Sequence, residues 1–177
     1  AKGGLKPVCA IYSTFLQRSY DQLMHDIALQ RLPLVLLVDR AGLVGADGAT
    51  HHGVFDISYL SSIPDAVIAA PTSGAEMKQL MELALESGHL FAIRYPRGNV
   101  SRIFDAMTVS DFRVGEAQVI REGQDVTLLA LGTMVERALL AAEILHEEGI
   151  EAAVVNMRFA KPLDGKLILH YAQKGQL

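Results

Sequence analysis

Hydrophobic residues in this chain recur with two spacings, and the changes from one spacing to the other mark out its elements. The run at Pro7–Tyr12 (P-V-C-A-I-Y) is short and apolar, which predicts a strand. Leu16, Tyr20, Leu23, Met24 and Ile27 then follow at helical spacing, predicting a helix over roughly residues 16–32 that Pro33 closes. Thr14 and Gln17 stand at the T-x-x-Q spacing of a capping box just before it. Leu34–Val38 is continuously apolar and reads as a buried strand. Strand, long helix and strand make the βαβ unit of a parallel sheet, whose strands are covered on both faces. Asp56–Ser62 predicts a short helix and Val67–Ala70 another strand. Ser73 and Glu76 form a second capping box ahead of a helix with Met77, Leu80, Met81 and Ala84 on one face. Leu90–Tyr95 returns as a strand and stops at Pro96.

Asn99–Phe112 keeps neither spacing and reads as a linker. The expected plan is a first domain at 1–98, a connection at 99–113 and the start of a second domain at 114–177. In the second part, Glu116–Ile120 and Val126–Leu131 predict strands joined by a turn at Glu122–Asp125. Thr133 and Glu136 make a third capping box, with Val135, Ala138, Leu139, Ala142 and Leu145 as the apolar face behind it. Ala152–Asn156 is a strand pattern and Asp164–Gln173 a helix pattern. The fold class expected is α/β: an open, mostly parallel sheet flanked by helices, followed by an incomplete second α/β domain.

Between the strand at Leu34–Val38 and the helix at Asp56 lies the stretch Asp39–Phe55, D-R-A-G-L-V-G-A-D-G-A-T-H-H-G-V-F. Compact domains join elements in about 4–6 residues, so a connection of this length is either functional or disordered. Leu43, Val44, Val54 and Phe55 offer apolar anchors, which argues for order. Gly42, Gly45, Gly48 and Gly53 allow positive φ or a close approach of backbone to a ligand. Ligands of open α/β sheets bind beyond the carboxyl ends of the strands. Ser13–Phe15, the Asp39–Phe55 loop and Pro96–Gly98 all follow strands and are expected to meet there.

Composition narrows the classes. Half of the 177 residues are hydrophobic and 20% are charged, as in a globular domain with a sizeable core. A net charge of −4 without a basic cluster gives no footprint for nucleic acid. No apolar run approaches the ~20 residues that span a bilayer. The one cysteine, Cys9, lies in the apolar run V-C-A-I and reads as a buried thiol in a reducing compartment. No signal-peptide pattern opens the chain and residue 1 is Ala, so it reads as an excerpt of a longer protein.

Arg40 and Arg97 each follow a strand beside a glycine-containing turn, where a guanidinium fork can take a phosphate through paired, charge-assisted hydrogen bonds. An ion pair with Asp39 or Asp56 is the structural alternative for an isolated arginine. Arg94, inside a strand pattern, reads as structural. Asp47 and His51 are four apart; a carboxylate beside the imidazole would fix its tautomer and raise its basicity. His25, His89, His146 and His170 read as structural or solvated, and His52 is left out of the chemistry.

The loop pattern D-R-A-G-x-V-G-A-D-G-x-T-H-x-G-x-F-D, with I-Y-S-T-F-L-Q-R-x-Y-D-Q at Ile11–Gln22 and R-Y-P-R-G at Arg94–Gly98, resembles the 1-deoxy-D-xylulose-5-phosphate synthase family of thiamine enzymes, relatives of the transketolases. The resemblance covers nearly the whole chain and makes 1–98 a transketolase-like pyrimidine-binding domain. It implies a transferase that condenses pyruvate, with loss of CO2, and D-glyceraldehyde 3-phosphate, using thiamine diphosphate and Mg2+. In that reading Tyr12, Arg40 and Arg97 hold the acceptor's phosphate. Phe15 stacks on the aminopyrimidine ring of the cofactor with Arg18 beside it. His51 lies over the reactive carbon as a hydrogen-bond partner or proton shuttle, and Asp47 touches the adduct or the acceptor's hydroxyls. The resemblance further implies a homodimer in the bacterial cytoplasm or a plastid stroma, feeding isoprenoid, thiamine and pyridoxal synthesis.

The G-D-G…N metal-diphosphate motif of thiamine enzymes is missing from the sequence, and the glutamate that activates the aminopyrimidine belongs upstream of Ala1. The metal ligands therefore fall outside this chain, which is expected to be inactive by itself. Two rival readings stand beside this one. The first is another thiamine enzyme of the transketolase group, such as a transketolase or a 2-oxoacid dehydrogenase β subunit. The second is a catalytically silent α/β regulatory protein.

Overall fold

Four strands, β1 (Val8–Tyr12), β2 (Leu34–Asp39), β3 (Val67–Ala69) and β4 (Leu90–Arg94), run parallel in a computed structural model that describes residues 1–104 and 111–174. Their order across the sheet is β1-β2-β4-β3, and a fifth strand, β8 (Phe159–Lys161), lies antiparallel beside β3. Side chains of successive strand residues point to opposite faces. Leu36 and Val38 accordingly join Ile68 and Ala92 under Leu16, Leu23, Leu60 and Ile63 on one side. Val35 joins Ala69, Phe91 and Ile93 under Leu80 and Ala84 on the other. Strands covered on both faces need unbroken apolar runs, as the sequence of β3 and β4 supplies.

β1 is the edge strand, and three of its five residues face solvent. Cys9 is one of them, so the expected buried thiol is exposed. The helix expected over 16–32 begins earlier, directly after β1, and is irregular. It comprises α1 (Ser13–Leu16), a 3-10 turn at Gln17–Ser19, α2 (Tyr20–Gln22) and a π turn at Leu23–Ala28. Bonds of π type, from the Leu29 amide to the Met24 carbonyl (2.9 Å) and from Leu32 to Ile27 (3.0 Å), close it. The Thr14–Gln17 capping box is not made, because Thr14 lies within α1 and donates to the Thr50 carbonyl instead.

After the loop, α3 (Asp56–Ser61) crosses one face and α4 (Gly74–Glu86) the other. Ser73 caps α4 as expected, its hydroxyl accepting from the Glu76 amide at 3.1 Å. The second sheet is ordered β5-β7-β6, from β5 (Gln118–Arg121), β6 (Val126–Ala130) and β7 (Ala152–Asn156). β5 and β6 are consecutive but unpaired. β7, buried at all five positions, takes the central place between them. The helices of this half are α5 (Met134–Glu147) and α6 (Gly165–Gln173). Thr133 does not cap α5; its own backbone is helical, and turn bonds from Met134 to Leu131 and from Val135 to Gly132 satisfy the first amides. Of the expected linker, residues 105–110 lie outside the described residues. Phe104 on one side packs into the core of the second sheet, and Phe112 on the other into the core of the first.

One carboxylate ties the two halves together. Glu76 is 1% exposed and does not close its capping box back onto Ser73. Its Oε2 accepts from the Thr72 amide (2.6 Å) and hydroxyl (2.8 Å), and its Oε1 from Asn156 Nδ2 (2.9 Å) and Arg158 Nε (2.8 Å). Arg158, 2% exposed, also lies over the Phe112 ring at 4.0 Å and donates to the Gln118 side chain at 2.5 Å. Removing one member of such a buried pair strands the other's charge and costs about 3–5 kcal/mol, while replacing both is far cheaper. Glu76→Gln should therefore lower the unfolding free energy in urea by roughly that amount. The double variant Glu76→Gln/Arg158→Met should recover part of the loss, and a double variant no more stable than Glu76→Gln would mean the pair is not what joins the halves.

Candidate functional site

Parallel strands bring their carboxyl ends to one edge, and register does the rest. Tyr12, the last residue of β1, pairs with Asp39, the last of β2, while Val38 pairs with Arg94, the last of β4. Arg40 thus emerges next to Tyr12, and its guanidinium lies over the Tyr12 ring at 3.9 Å. Phe15, one helical turn on, stacks with Tyr12, ring centres 5.5 Å apart and planes 9° from parallel. His51 meets Phe15 edge-on at 5.6 Å. Guanidinium, phenol, phenyl and imidazole form one continuous wall.

The Asp39–Phe55 stretch is an ordered, closed loop. Gly42 and Gly53 exchange backbone hydrogen bonds at 2.7 and 2.8 Å across its neck, and 3-10 turns at Gly45–Asp47 and Ala49–His51 shape its tip. Gly42, Gly45 and Gly48 have φ of 96°, 50° and 82°, conformations that only glycine adopts at low cost. Val44 is the one expected anchor that is buried, its amide bonded to His52 Nδ1 at 3.2 Å. Leu43, Val54 and Phe55 are exposed, so the loop is pinned by backbone pairing and His52 rather than by an apolar cluster.

Asp47 is drawn to the arginines rather than to His51. Arg40 Nε donates to its Oδ2 at 2.8 Å and Arg97 Nη1 donates to its Oδ1. Arg40 has a left-handed backbone, φ 54°, held by Asp39, which accepts from the Arg40 amide at 2.7 Å and from Nη1 at 2.6 Å. The Arg40 hydrogen bond, with help from the Arg97 charge, keeps the Asp47 carboxyl below the usual carboxylate range, and Asp47 in turn raises the Arg40 guanidinium. The stability this contributes is full above the ordinary aspartate range and is lost as the pH falls through the depressed value. The carboxylate expected to fix the His51 tautomer is therefore engaged elsewhere, and Thr50 Oγ1 stands 3.0 Å from His51 Nδ1 instead. Arg94 pairs with buried Asp56 at 2.7 Å, the structural role expected of it. Arg18 lies exposed in the 3-10 turn that follows Phe15.

Gly53, grouped in the sequence with the other loop glycines, serves packing against the protein's own chain. Its φ is unremarkable, but a Cβ placed on it would lie 2.4 Å from Ser13 Cβ and 2.5 Å from the Arg40 carbonyl. The loop's return strand squeezes between the start of α1 and the end of β2, and only glycine fits. A glycine close behind the two histidines was the available signal, visible as spacing but not as a contact.

A flat heteroaromatic ring fits the exposed Phe15, which is 42% accessible and bordered by a histidine. Among the described residues, no group of three or more His, Cys, Asp or Glu side chains is arranged to hold a metal ion. Nor is any helix among them long and apolar enough to cross a membrane.

An open α/β sheet with paired arginines, an aromatic wall and a glycine-shaped loop at its carboxyl edge is the class of ligand-binding domain this chain builds. Residues 1–102 match the family model of the transketolase pyrimidine-binding domain and residues 115–177 that of the transketolase C-terminal domain. The chain belongs to the transketolase pyrimidine-binding domain family. It is 52% identical over 171 residues to 1-deoxy-D-xylulose-5-phosphate synthase of Desulforudis audaxviator, 97% of this chain and 27% of that protein. The synthases of Pelotomaculum thermopropionicum and Synechocystis sp. are 53% and 50% identical over 98% and 97% of the chain. The chain thus spans about a quarter of the length of the curated relatives it matches. Among solved structures, a split-gene transketolase described as an inactive beta4 tetramer superposes with a TM-score of 0.88 at 29% identity, over 97% of this chain and 55% of that one. A transketolase mutant from Pichia stipitis, at TM-score 0.77 and 20% identity over 90% of this chain and 24% of that one, shares the fold.

The overlap at Gly53 is directly testable. Gly53→Ala should cost roughly 1–3 kcal/mol, the range for forcing an extra methyl into a packed site. Proteolytic cleavage between residues 39 and 55 should quicken with it. An unshifted denaturation midpoint with unchanged cleavage would mean the neck of the loop has room to spare.

Proposed function

We propose that this chain supplies the acceptor-phosphate and aminopyrimidine side of a 1-deoxy-D-xylulose-5-phosphate synthase, joining pyruvate, with loss of CO2, to D-glyceraldehyde 3-phosphate. The observation that carries it is the convergence of Tyr12, Phe15, Arg40, Asp47, His51 and Arg97, from three separate segments, on one sheet edge. Similarity of about half the positions to synthases over nearly the whole chain supports the same reading over a transketolase or a dehydrogenase subunit.

Arg40 and Arg97 converge on the Asp47 carboxylate, an arrangement suited to holding an anion, and a phosphate is the larger and more highly charged one. Tyr12 walls the Arg40 guanidinium and keeps it from swinging away. Asp47, freed in part by the incoming phosphate, is placed to accept from the acceptor's hydroxyls. When thiamine diphosphate is bound, it supplies the electron sink for decarboxylation and carbon–carbon bond formation. Phe15 and Arg18 would hold its aminopyrimidine ring, while Mg2+ and the diphosphate are held by residues outside this chain. Bond formation leaves negative charge on the acceptor's former carbonyl oxygen, and His51 gives that oxygen a proton. Apolar side chains left open on β1 and α5, among them Val8 and Ile144, support an assembled homodimer as the working form.

Two variants of the full-length enzyme separate these roles. A hydrogen bond to a charged group contributes about 1.5–3 kcal/mol, roughly ten- to a hundredfold in affinity. Arg97→Ala should raise KM for glyceraldehyde 3-phosphate by that factor and affect a nonphosphorylated aldehyde much less. Equal penalties for the two acceptors would show that Arg97 only braces Asp47. His51→Ala should lower kcat by about 10²–10⁴-fold, the range of a general acid–base group. A folded variant with wild-type kcat would remove His51 from the chemistry.

A further inference from the structure

We propose that Thr50 is the positioning residue of His51, holding the ring by Nδ1 so that Nε2 is the nitrogen that meets the acceptor, and that Thr14 fixes Thr50 in turn. The proposal rests on the reading above, in which His51 exchanges a proton with the acceptor's oxygen. Three contacts carry it. Thr14, 7% exposed on the first turn of α1, donates its hydroxyl to the Thr50 carbonyl at 3.1 Å, across a sequence separation of 36 residues. Thr50 Oγ1 lies 3.0 Å from His51 Nδ1. The Phe15 ring, on the next residue after Thr14, meets the imidazole at 73° and limits its rotation. Both restraints on His51 therefore originate in the start of α1, which also carries the aromatic wall.

The hydroxyl is a particular choice of partner, because it both donates and accepts, whereas an ionised carboxylate only accepts. When His51 is an imidazolium, its Nδ1–H donates to Thr50. When Nε2 gives its proton to the acceptor's oxygen, the same Nδ1–H bond persists and the ring is left neutral with a lone pair at Nε2. When Nε2 holds the only ring proton, the Thr50 hydroxyl rotates and donates into Nδ1. One partner thus serves every protonation state without the ring turning over. Asp47 could not do this, and its two oxygens are already taken by Arg40 and Arg97.

The test compares Thr50→Val, which keeps the shape and removes the hydroxyl, with Thr50→Ser, which keeps the hydroxyl. In the full-length enzyme, Thr50→Val should lower kcat by about three- to tenfold, the worth of one ordinary hydrogen bond. KM for the acceptor should stay nearly constant, and the limb of the pH–rate profile that His51→Ala abolishes should move. Thr50→Ser should restore both. Ring-15N-labelled histidine, observed in the same enzyme, should show the His51 Nδ1 resonance shifted in the valine variant and unmoved in the serine variant. Equal behaviour of the two variants, or an unmoved Nδ1 resonance in Thr50→Val, would overturn the proposal. The two readings fail separately. A shifted Nδ1 resonance together with a harmless His51→Ala would uphold Thr50 as the ring's holder while removing His51 from the reaction.

Discussion

The site depends on one shared carboxylate. Without Asp47, Arg40 and Arg97 would bring two positive charges to the same sheet edge with nothing between them. Arg40 would keep only Asp39 and the Tyr12 ring, and Arg97 would lose the bond that aims it. With it, the segments after β2 and β4 are joined through a third, the tip of the glycine loop. This explains the positive φ of Gly42 and Gly45: the chain must double back within a few residues to return a carboxylate to the arginine it has just left. It also explains how Arg40 tolerates its own left-handed backbone. Such a conformation costs of the order of 1–3 kcal/mol, and the Asp39 and Asp47 bonds are what oppose that cost.

A second buried carboxylate holds the sheet that carries this edge. Glu76 fastens the turn after β3 to Arg158 and Asn156 of the second half, and β8 extends the first sheet from the far side. Phe104 and Phe112 dock in opposite cores on either side of the connection. The two halves are therefore interlocked by exchange, each burying a piece of the other. Thr72 lines a cavity of about 280 Å³ together with Tyr95, Pro96 and Gly98, the chain neighbours of Arg97.

Much of this was legible in the sequence because the signals are local. Unbroken apolar runs marked β2, β3 and β4 as doubly covered strands, and parallel strands force their trailing loops to one edge. The grouping of Tyr12, Phe15, Arg40, Asp47, His51 and Arg97 follows from that. What could not be read was set by distant partners. Whether Glu76 closes a capping box or bonds Arg158 depends on a residue 82 positions away. Cys9 has the same apolar neighbours in sequence that a central strand would have, and only its place at the sheet edge exposes it. A turn between β5 and β6 was legible, but not that β7, buried at all five positions, takes the place between them. Asp47 and His51, four apart, share a loop without sharing a bond, since two guanidinium groups already take both oxygens of the carboxylate.

The aromatic wall has a consequence for how the proposed reaction is organised. Arg40, Tyr12, Phe15 and His51 follow one another in that order, so the proposed phosphate and cofactor-ring ends of the site would lie along one wall rather than in separate pockets. Tyr12 and Phe15 are the last residue of β1 and the third residue of α1, a spacing that the immediate start of the helix makes rigid. In the proposed reaction, a fixed spacing between an arginine on the acceptor's phosphate and a histidine at its carbonyl oxygen would select an acceptor by length. An aldehyde with its phosphate too near or too far would satisfy one end and miss the other. Positioning of this kind turns binding energy at the phosphate into orientation at the carbonyl, which is where the rate is decided.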